Sequence, residues 1–536
     1  MGSVSLSAID ILIFASYFVL IVALGLFIAR KEKKTTRDYF LAGDRLPWYV
    51  IGASLTASNI SAEHFVGMIG SAYAVGLVVA NMEWGNWYTY SLLVWIFLPY
   101  YMRSGLFTMP EFLERRYNRT CRYIYAVTTL VTYITAFIAA ILYAGSLVLQ
   151  ALFGVPLVYG ILLLAVTTAV YTIYGGQLSV AWTDFVQFIV LFAGGLIVTL
   201  LGLGQVGGLS RLLTELPEKF FVYLPAGHPQ FPFIGMVGTV LSSSMWYVCT
   251  NQFMVQRCLG ARTEWDARMG GVFAGYMKLV LPFIICLPGI IAFSLFGPGR
   301  DPNQIFPLLV VRLIPAGLVG LIMAGLASAI MSTISSALNS AGTVATLDLI
   351  RPLWKKEASE EQLVDYGRRV GVAIMIVAIS CGLWFSFRQG QVFLIIQNIY
   401  AYFAAPVAAL FLLGIFWRGT TSTAATVTFI SGFVLNELVD RVLFKLTFLA
   451  AYNSFYNRAA IVFFLSLAIL FLVSLFTRKP DPEVVGQICW RPSDLSLRDK
   501  STPRGKTVLL VVAWAGMAGS ILMVYAALAV FQWLHR

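Results

Sequence analysis

Apolar runs of roughly twenty residues, each able to cross a bilayer core of about 30 Å as a helix, recur along all 536 residues with no long polar block between them. Hydrocarbon admits only structures that satisfy their own backbone hydrogen bonds. The chain is therefore read as an all-α integral membrane protein, a single transmembrane domain over residues 1–536. Its 59% hydrophobic and 12% charged residues exclude an ordinary soluble domain, in which charge is about twice as abundant.

Breaks between the runs predict fourteen spans, near 8–28, 47–73, 82–103, 122–152, 157–174, 176–203, 232–256, 266–296, 313–348, 367–387, 391–417, 421–439, 457–477 and 507–533. The net charge of +12 invites a nucleic-acid reading, but 27 of the 37 Lys and Arg fall in alternate loops, at 30–45, 103–122, 257–268, 351–369, 418 and 478–506. That is the positive-inside bias, so the basicity reports topology and no nucleic-acid partner is expected. An even number of spans then places both termini outside. No basic segment or small-residue cleavage pattern precedes the first run, which is expected to be a retained helix. The six cysteines show no CxxC spacing, and neither a metal centre nor a disulfide is expected from them.

Two spans carry interruptions at corresponding places. The first, ASLTASNISAEHFVGMIGSAY from Ala53 to Tyr73, contains Asn59, Glu63 and His64 among small residues. The second has Pro232, Gly235, Gly238 and the run Ser242–Ser244. Paired interruptions point to an inverted-repeat transporter whose site lies at mid-membrane, where unwound backbone offers carbonyls. The competing reading is that small residues only permit tight helix packing.

Ionisable groups inside the spans are costly and mark function by default. They are Glu63, His64, Glu83, Asp184 and Lys278, and a Glu83–Lys278 pair would account for two of them. Either the pair merely orients helices or it lines a cavity for a polar solute. Leu321 to Thr343 crowds Ser328, Ser332, Thr333, Ser335 and Ser336 onto one helix. Hydroxyls with free carbonyls suit a weakly held monovalent cation such as Na⁺, although Ser and Thr in membrane helices also bond back to their own i−4 carbonyl. Trp246, Tyr247, Gln397 and Asn398 are further mid-span candidates, for stacking or for polar contact. Nothing matching a Walker loop, HExxH, GxSxG or dinucleotide fingerprint sits in a suitable context, so the chain is read as no enzyme.

Long segments of the chain resemble a known family. ASNISAEHFVG, Met82-Glu83-Trp84, TMPEFLERRY, YTIYGG with WTDFVQ, NQFMVQRCLGAR, GYMKLVLPF, LASAIMSTISSALNSAGTVATLDL and PVAALFLLGIFWR are similar to the sodium/solute symporters, most closely the sodium/glucose cotransporter branch. Ile488-Cys489-Trp490 extends the resemblance towards the C-terminus. It implies a leucine-transporter-like 5+5 inverted repeat, with the first and sixth core helices broken. The repeats would be 47–203 and 232–417, and 8–28 and 421–533 would be peripheral.

The same resemblance implies a sodium site at Ala57, Ile60, Ala329, Ser332 and Thr333, and a possible second one at Asp184, Ser335 and Ser336. Sugar contacts are implied at Asn59, His64, Glu83, Tyr247, Lys278 and Gln397. The implied function is sodium-coupled uptake of a glucose- or galactose-like sugar by alternating access, in a multi-pass cell membrane protein surrounded by lipid, with no obligate protein partner. Val248, where sugar-transporting members commonly have Trp, and Asn86 and Trp87 near Glu83, depart from the pattern. Inositol, a sugar acid, an amino acid or a carboxylate therefore stand as alternative solutes, and proton coupling or a sugar-gated sensor without stoichiometric transport as alternative modes. The short 297–312 loop, which lacks the cysteines of animal members, favours a bacterial inner membrane.

Overall fold

A computed structural model describes residues 7–30, 35–385, 392–446, 449–491 and 502–536. Among these the architecture is all helical, and an isolated bridge between Leu46 and Ala261 is its sole extended pairing. Each expected span has a helical counterpart. Leu157–Val206 carries two of them as one 50-residue run, kinked where Gly176 adopts φ 50°, ψ −156°. Such a conformation is open essentially to glycine alone.

Burial separates centre from rim. Of the most apolar stretch of Val319–Leu353, 94% is buried, against 22% in both Ala8–Ala29 and Arg504–Leu534. The central helix can therefore present hydroxyls to protein on every side, while the terminal helices offer lipid their Ile, Leu and Val. Asp10 ties the first helix to the centre by accepting from the backbone N–H of Gly317 and, at 2.8 Å, of Gly320. A carboxylate suits that place because the N-terminal amides of the next helix lack intrahelical partners.

Both predicted interruptions are real, but the second lies further along than the small residues indicate. Trp48–Asn59 stops where Ile60 turns extended (φ −92°, ψ 123°), and the chain resumes through a wide turn over His64–Met68. In the later helix, Phe233–Thr250 passes through two wide turns and breaks at Asn251 (φ −78°, ψ 127°) before Gln252–Leu259. Gly235 and Gly238 do not unwind the helix. They let it approach Asn457 and Ala460 so closely that a Cβ at either position would overlap them. In this stretch small residues serve packing.

The two breaks dispose of their carbonyls differently. At the second, tyrosines cap them: Tyr101 donates to Cys249 O at 3.0 Å and Tyr125 to Thr250 O at 2.8 Å. At the first, the donors are Ser332 and Thr333 of the central helix. Among the described residues, the first break is the one whose carbonyls meet serine and threonine hydroxyls of a neighbouring helix.

Candidate functional site

Residues 57–60 and 329–333 meet in a buried oxygen cluster. Ser332 Oγ donates to Ala57 O at 2.8 Å and lies 3.2 Å from Ala329 O. Thr333 Oγ1 lies 3.0 Å from Ser58 O, 3.2 Å from Ile60 O and 3.0 Å from Ala329 O. The five residues expected to hold sodium are thus within hydrogen-bond reach of one another. Each hydroxyl can turn its proton away and offer a lone pair, so the same oxygens can face a hard cation.

One turn further in, Asp184 Oδ2 accepts from Ser54 Oγ at 2.6 Å, Ser58 Oγ at 3.0 Å and Ser336 Oγ at 3.3 Å. Ser335 turns instead to Ser332 O, on its own helix, at 3.0 Å. The structure therefore brings two of the three expected second-site residues together and leaves the third aside. The unexpected member is Arg257, whose Nη1 lies 3.3 Å from Asp184 Oδ2, 2.6 Å from Ser54 O and 2.5 Å from Ser58 Oγ. Arg257 is not one of the solvated inner-loop basic residues that the sequence suggests, since its side chain is 1% exposed. It sits on Gln252–Leu259, just past the second break, and charge neutralisation with Asp184 permits its burial.

Outward of the break, Lys278 Nζ donates to Asn59 Oδ1 and Glu83 Oε2. His64 Nε2 lies 3.4 Å from Glu83 Oε1, while its Nδ1 accepts from Ser61 N–H at 3.2 Å. That bond leaves the proton on Nε2, facing the carboxylate. These four polar groups form one wall of a cavity of about 130 Å³. Phe137, Trp246, Tyr247 and Tyr400 line other parts of it, and Phe231, Phe455 and Tyr456 lie where it extends towards the outer ends of the helices. Tyr247 stacks on Phe137 (6.1 Å between centroids, 23° between planes) and meets Phe253 edge-on at 5.3 Å. Rings beside a fixed array of donors and acceptors suit a small polyhydroxylated solute. The side chain of Gln397, the remaining expected contact, lies outside the described residues.

Residues 39–432 match the family model described as the sodium:solute symporter family. The chain belongs to that family. It is 34% identical over 453 residues to the sodium/glucose cotransporter of Vibrio parahaemolyticus, covering 79% of this chain and 83% of that protein. With sodium/glucose cotransporter 1 of Ovis aries it shares 32% identity over 559 residues, 93% of this chain and 82% of the relative. Among solved structures, a Na⁺-coupled sialic acid symporter in its substrate-bound outward-open state superposes with a TM-score of 0.79 at 22% identity, over 89% of this chain and 99% of that one. The symporter thus has the leucine-transporter-like fold.

Some residues of the symporter's site escaped the sequence. Arg257 is one, and the one available signal was that in QFMVQRCLG no residue beside the arginine is charged. Phe455 and Tyr456 are others. They belong to a helix expected to be peripheral, and its packing on Gly235 and Gly238 brings its outer end to the cavity.

Proposed function

We propose that this symporter takes up a neutral monosaccharide together with sodium by alternating access, its repeats spanning 47–203 and 232–417. The observation that carries the reading is the first break itself. Its backbone oxygens join the Ser332–Thr333 cluster while its Asn59 side chain joins the Lys278–Glu83 wall of the cavity. Sodium would be held by Ala57, Ile60, Ala329, Ser332 and Thr333, with Asp184 and Ser336 offering a further polar station. The sugar would meet Asn59, His64, Glu83, Lys278, Tyr247 and Gln397. The similarity to sodium/glucose cotransporters supports a sugar, and the balanced Glu83–Lys278 pair favours an uncharged one.

Sodium at the cluster would fasten the broken helix to Val319–Leu353 and so favour the state in which the sugar wall is assembled. Coupling then equals the difference in sodium affinity between states, and the sugar strengthens sodium binding by the same factor. A membrane potential of about 100 mV adds roughly 2.3 kcal/mol for each charge carried inward. We place the protein in a bacterial inner membrane.

The test is uptake of labelled D-glucose, D-galactose, myo-inositol and a sialic acid into proteoliposomes under an inward sodium gradient. Accumulation of a hexose above equilibrium, abolished when choline replaces sodium, is the expected outcome. Accumulation driven by a proton gradient without sodium, or sodium currents without accumulation, would overturn it.

A further inference from the structure

A second cavity, of about 530 Å³, shares no residue with the oxygen cluster or with the cavity outward of it. Three of the basic segments meet there. The short helix Thr36–Leu41 brings Thr36, the 103–122 loop brings Arg115 and Arg122, and the turn that ends the central helix brings Arg351 and Lys356. The alternation of basic loops puts all three at the inner face. The N–H groups of Trp354 and Lys355 both bond Ile350 O at 3.0 Å, which closes the turn on itself.

The carboxylates of this cavity are already engaged. Glu111 pairs with Arg115 and accepts from Phe107 N–H at 3.0 Å. Glu114 is shared by Arg119, at 3.1 Å, and Arg122, which reaches on to the buried Asp348 at 2.9 Å. Glu360 accepts from the N–H of Thr36 at 2.8 Å and from its hydroxyl. Lys355 stands over the ring of Tyr366, 5.7 Å from its centroid. Arg351 and Lys356 are left over, since neither forms an ion pair among the described residues. Two cations that line one concavity without an anion of the protein's own suit a phosphate, whose several oxygens can accept from both.

The side chains between them select the source of that phosphate. Leu353 is 45% and Trp354 70% exposed. An exposed indole at the end of a membrane helix lies at the depth of the headgroups, and basic pockets between helices on the inner side hold anionic ones. We propose that this cavity binds the phosphodiester of an anionic phospholipid of the inner leaflet, with Arg351 and Lys356 as its cations and Leu353 and Trp354 against the acyl chains. The headgroup thereby fixes the inner end of the central helix at the membrane surface.

The test titrates purified full-length protein in detergent with dioleoylphosphatidylglycerol, with dioleoylphosphatidylcholine and inorganic phosphate as separate arms. Thermal unfolding and the number of lipids retained in native mass spectrometry are read together. Phosphatidylglycerol should raise Tm and stay bound, and phosphatidylcholine should do neither. Each cation removed should weaken phosphatidylglycerol binding about fivefold, so the double variant Arg351→Ala, Lys356→Ala should lose at least about tenfold. Arg369→Ala removes a 74% exposed cation of the same inner segment that lines no part of the cavity, and should leave binding unchanged. Should the double variant fold poorly, the two single variants decide, each at about fivefold. Unchanged binding in the variants, or an equal loss in Arg369→Ala, overturns the site. The same rise in Tm from inorganic phosphate alone overturns the lipid as its occupant.

Discussion

Replacing Thr333 by valine removes one oxygen from the cluster and leaves the shape of the side chain. That oxygen lies within 3.2 Å of Ser58 O, Ile60 O and Ala329 O, so it stands at the centre of the cluster proposed to hold sodium. A polar contact to a charged partner contributes about 1.5–3 kcal/mol. With about 1.4 kcal/mol per factor of ten, half-saturating sodium should rise about 10- to 100-fold. Thermal unfolding in sodium against choline reads the same quantity independently of transport. At sodium about 100 times its Kd, binding stabilises the native protein by about 2.7 kcal/mol, and a 100-fold weaker site retains about 0.4 kcal/mol. The sodium-dependent shift in Tm should therefore fall to about half or less in Thr333→Val, since a 10-fold weaker site retains about 1.4 kcal/mol. Ser328→Ala is the control, because that hydroxyl is occupied with Tyr17 and Ala324 O and the variant should keep the full shift. A Thr333→Val protein whose Tm shift and sodium dependence of uptake match the unmodified protein would refute the assignment.

Lys278→Met should weaken sugar binding at least about tenfold while changing sodium affinity far less, since Nζ contacts Asn59 and Glu83 but none of the cluster oxygens; equal losses in parallel binding assays would count against a sugar contact. Arg257→Met leaves Asp184 buried without its cation and should cost about 3–5 kcal/mol of stability, measured by thermal unfolding in detergent. Asp184→Asn in the same chain should recover part of that loss, and no recovery would mean the two charges do not compensate each other. Tyr247→Phe keeps the ring between Phe137 and Phe253 and should retain most uptake, whereas Tyr247→Ala should lose at least about tenfold; equal losses would show that the hydroxyl, not the ring, is needed.

Span positions were legible because hydrocarbon penalises every unpaired backbone group and every charge, which leaves long unambiguous apolar runs. The first break was legible for the same reason, since Asn59, Glu63 and His64 are too polar to face lipid. The second break was misplaced because glycine and serine serve two purposes in membranes. Gly235 and Gly238 admit a neighbouring helix, while the unwinding falls at Asn251, whose side chain reaches Tyr133 and the N–H of Phe253. Arg257 was misread because position beside a loop and depth in the protein are independent in a helix that re-enters the core after a break. Its partner Asp184 precedes it by 73 residues, a distance over which periodicity carries no information.

The placement of Asn59 bears on how the two cargoes share energy. Its side chain bonds the Lys278 ammonium, while the carbonyls on either side of it, of Ser58 and Ile60, bond Thr333. These contacts belong to three consecutive residues at the end of a helix, where the N–H groups still bond back into the helix but the carbonyls have no i+4 amide to accept from. An ion held by the Ala57 and Ile60 carbonyls, which flank Ser58 and Asn59, would therefore shift this short backbone segment, and with it the amide facing the cavity. Were the helix continuous, those carbonyls would be committed to their own i+4 amides and the ion could not act through them. Coupling by this route is short-range and needs no wire between distant sites. It predicts that Asn59→Ala, which leaves all the cluster oxygens in place, should preserve sodium binding in the absence of sugar yet abolish the mutual strengthening of sodium and sugar binding. Sodium titrations with and without saturating D-glucose would measure it, and a coupling factor unchanged from the unmodified protein would show that the energy passes elsewhere.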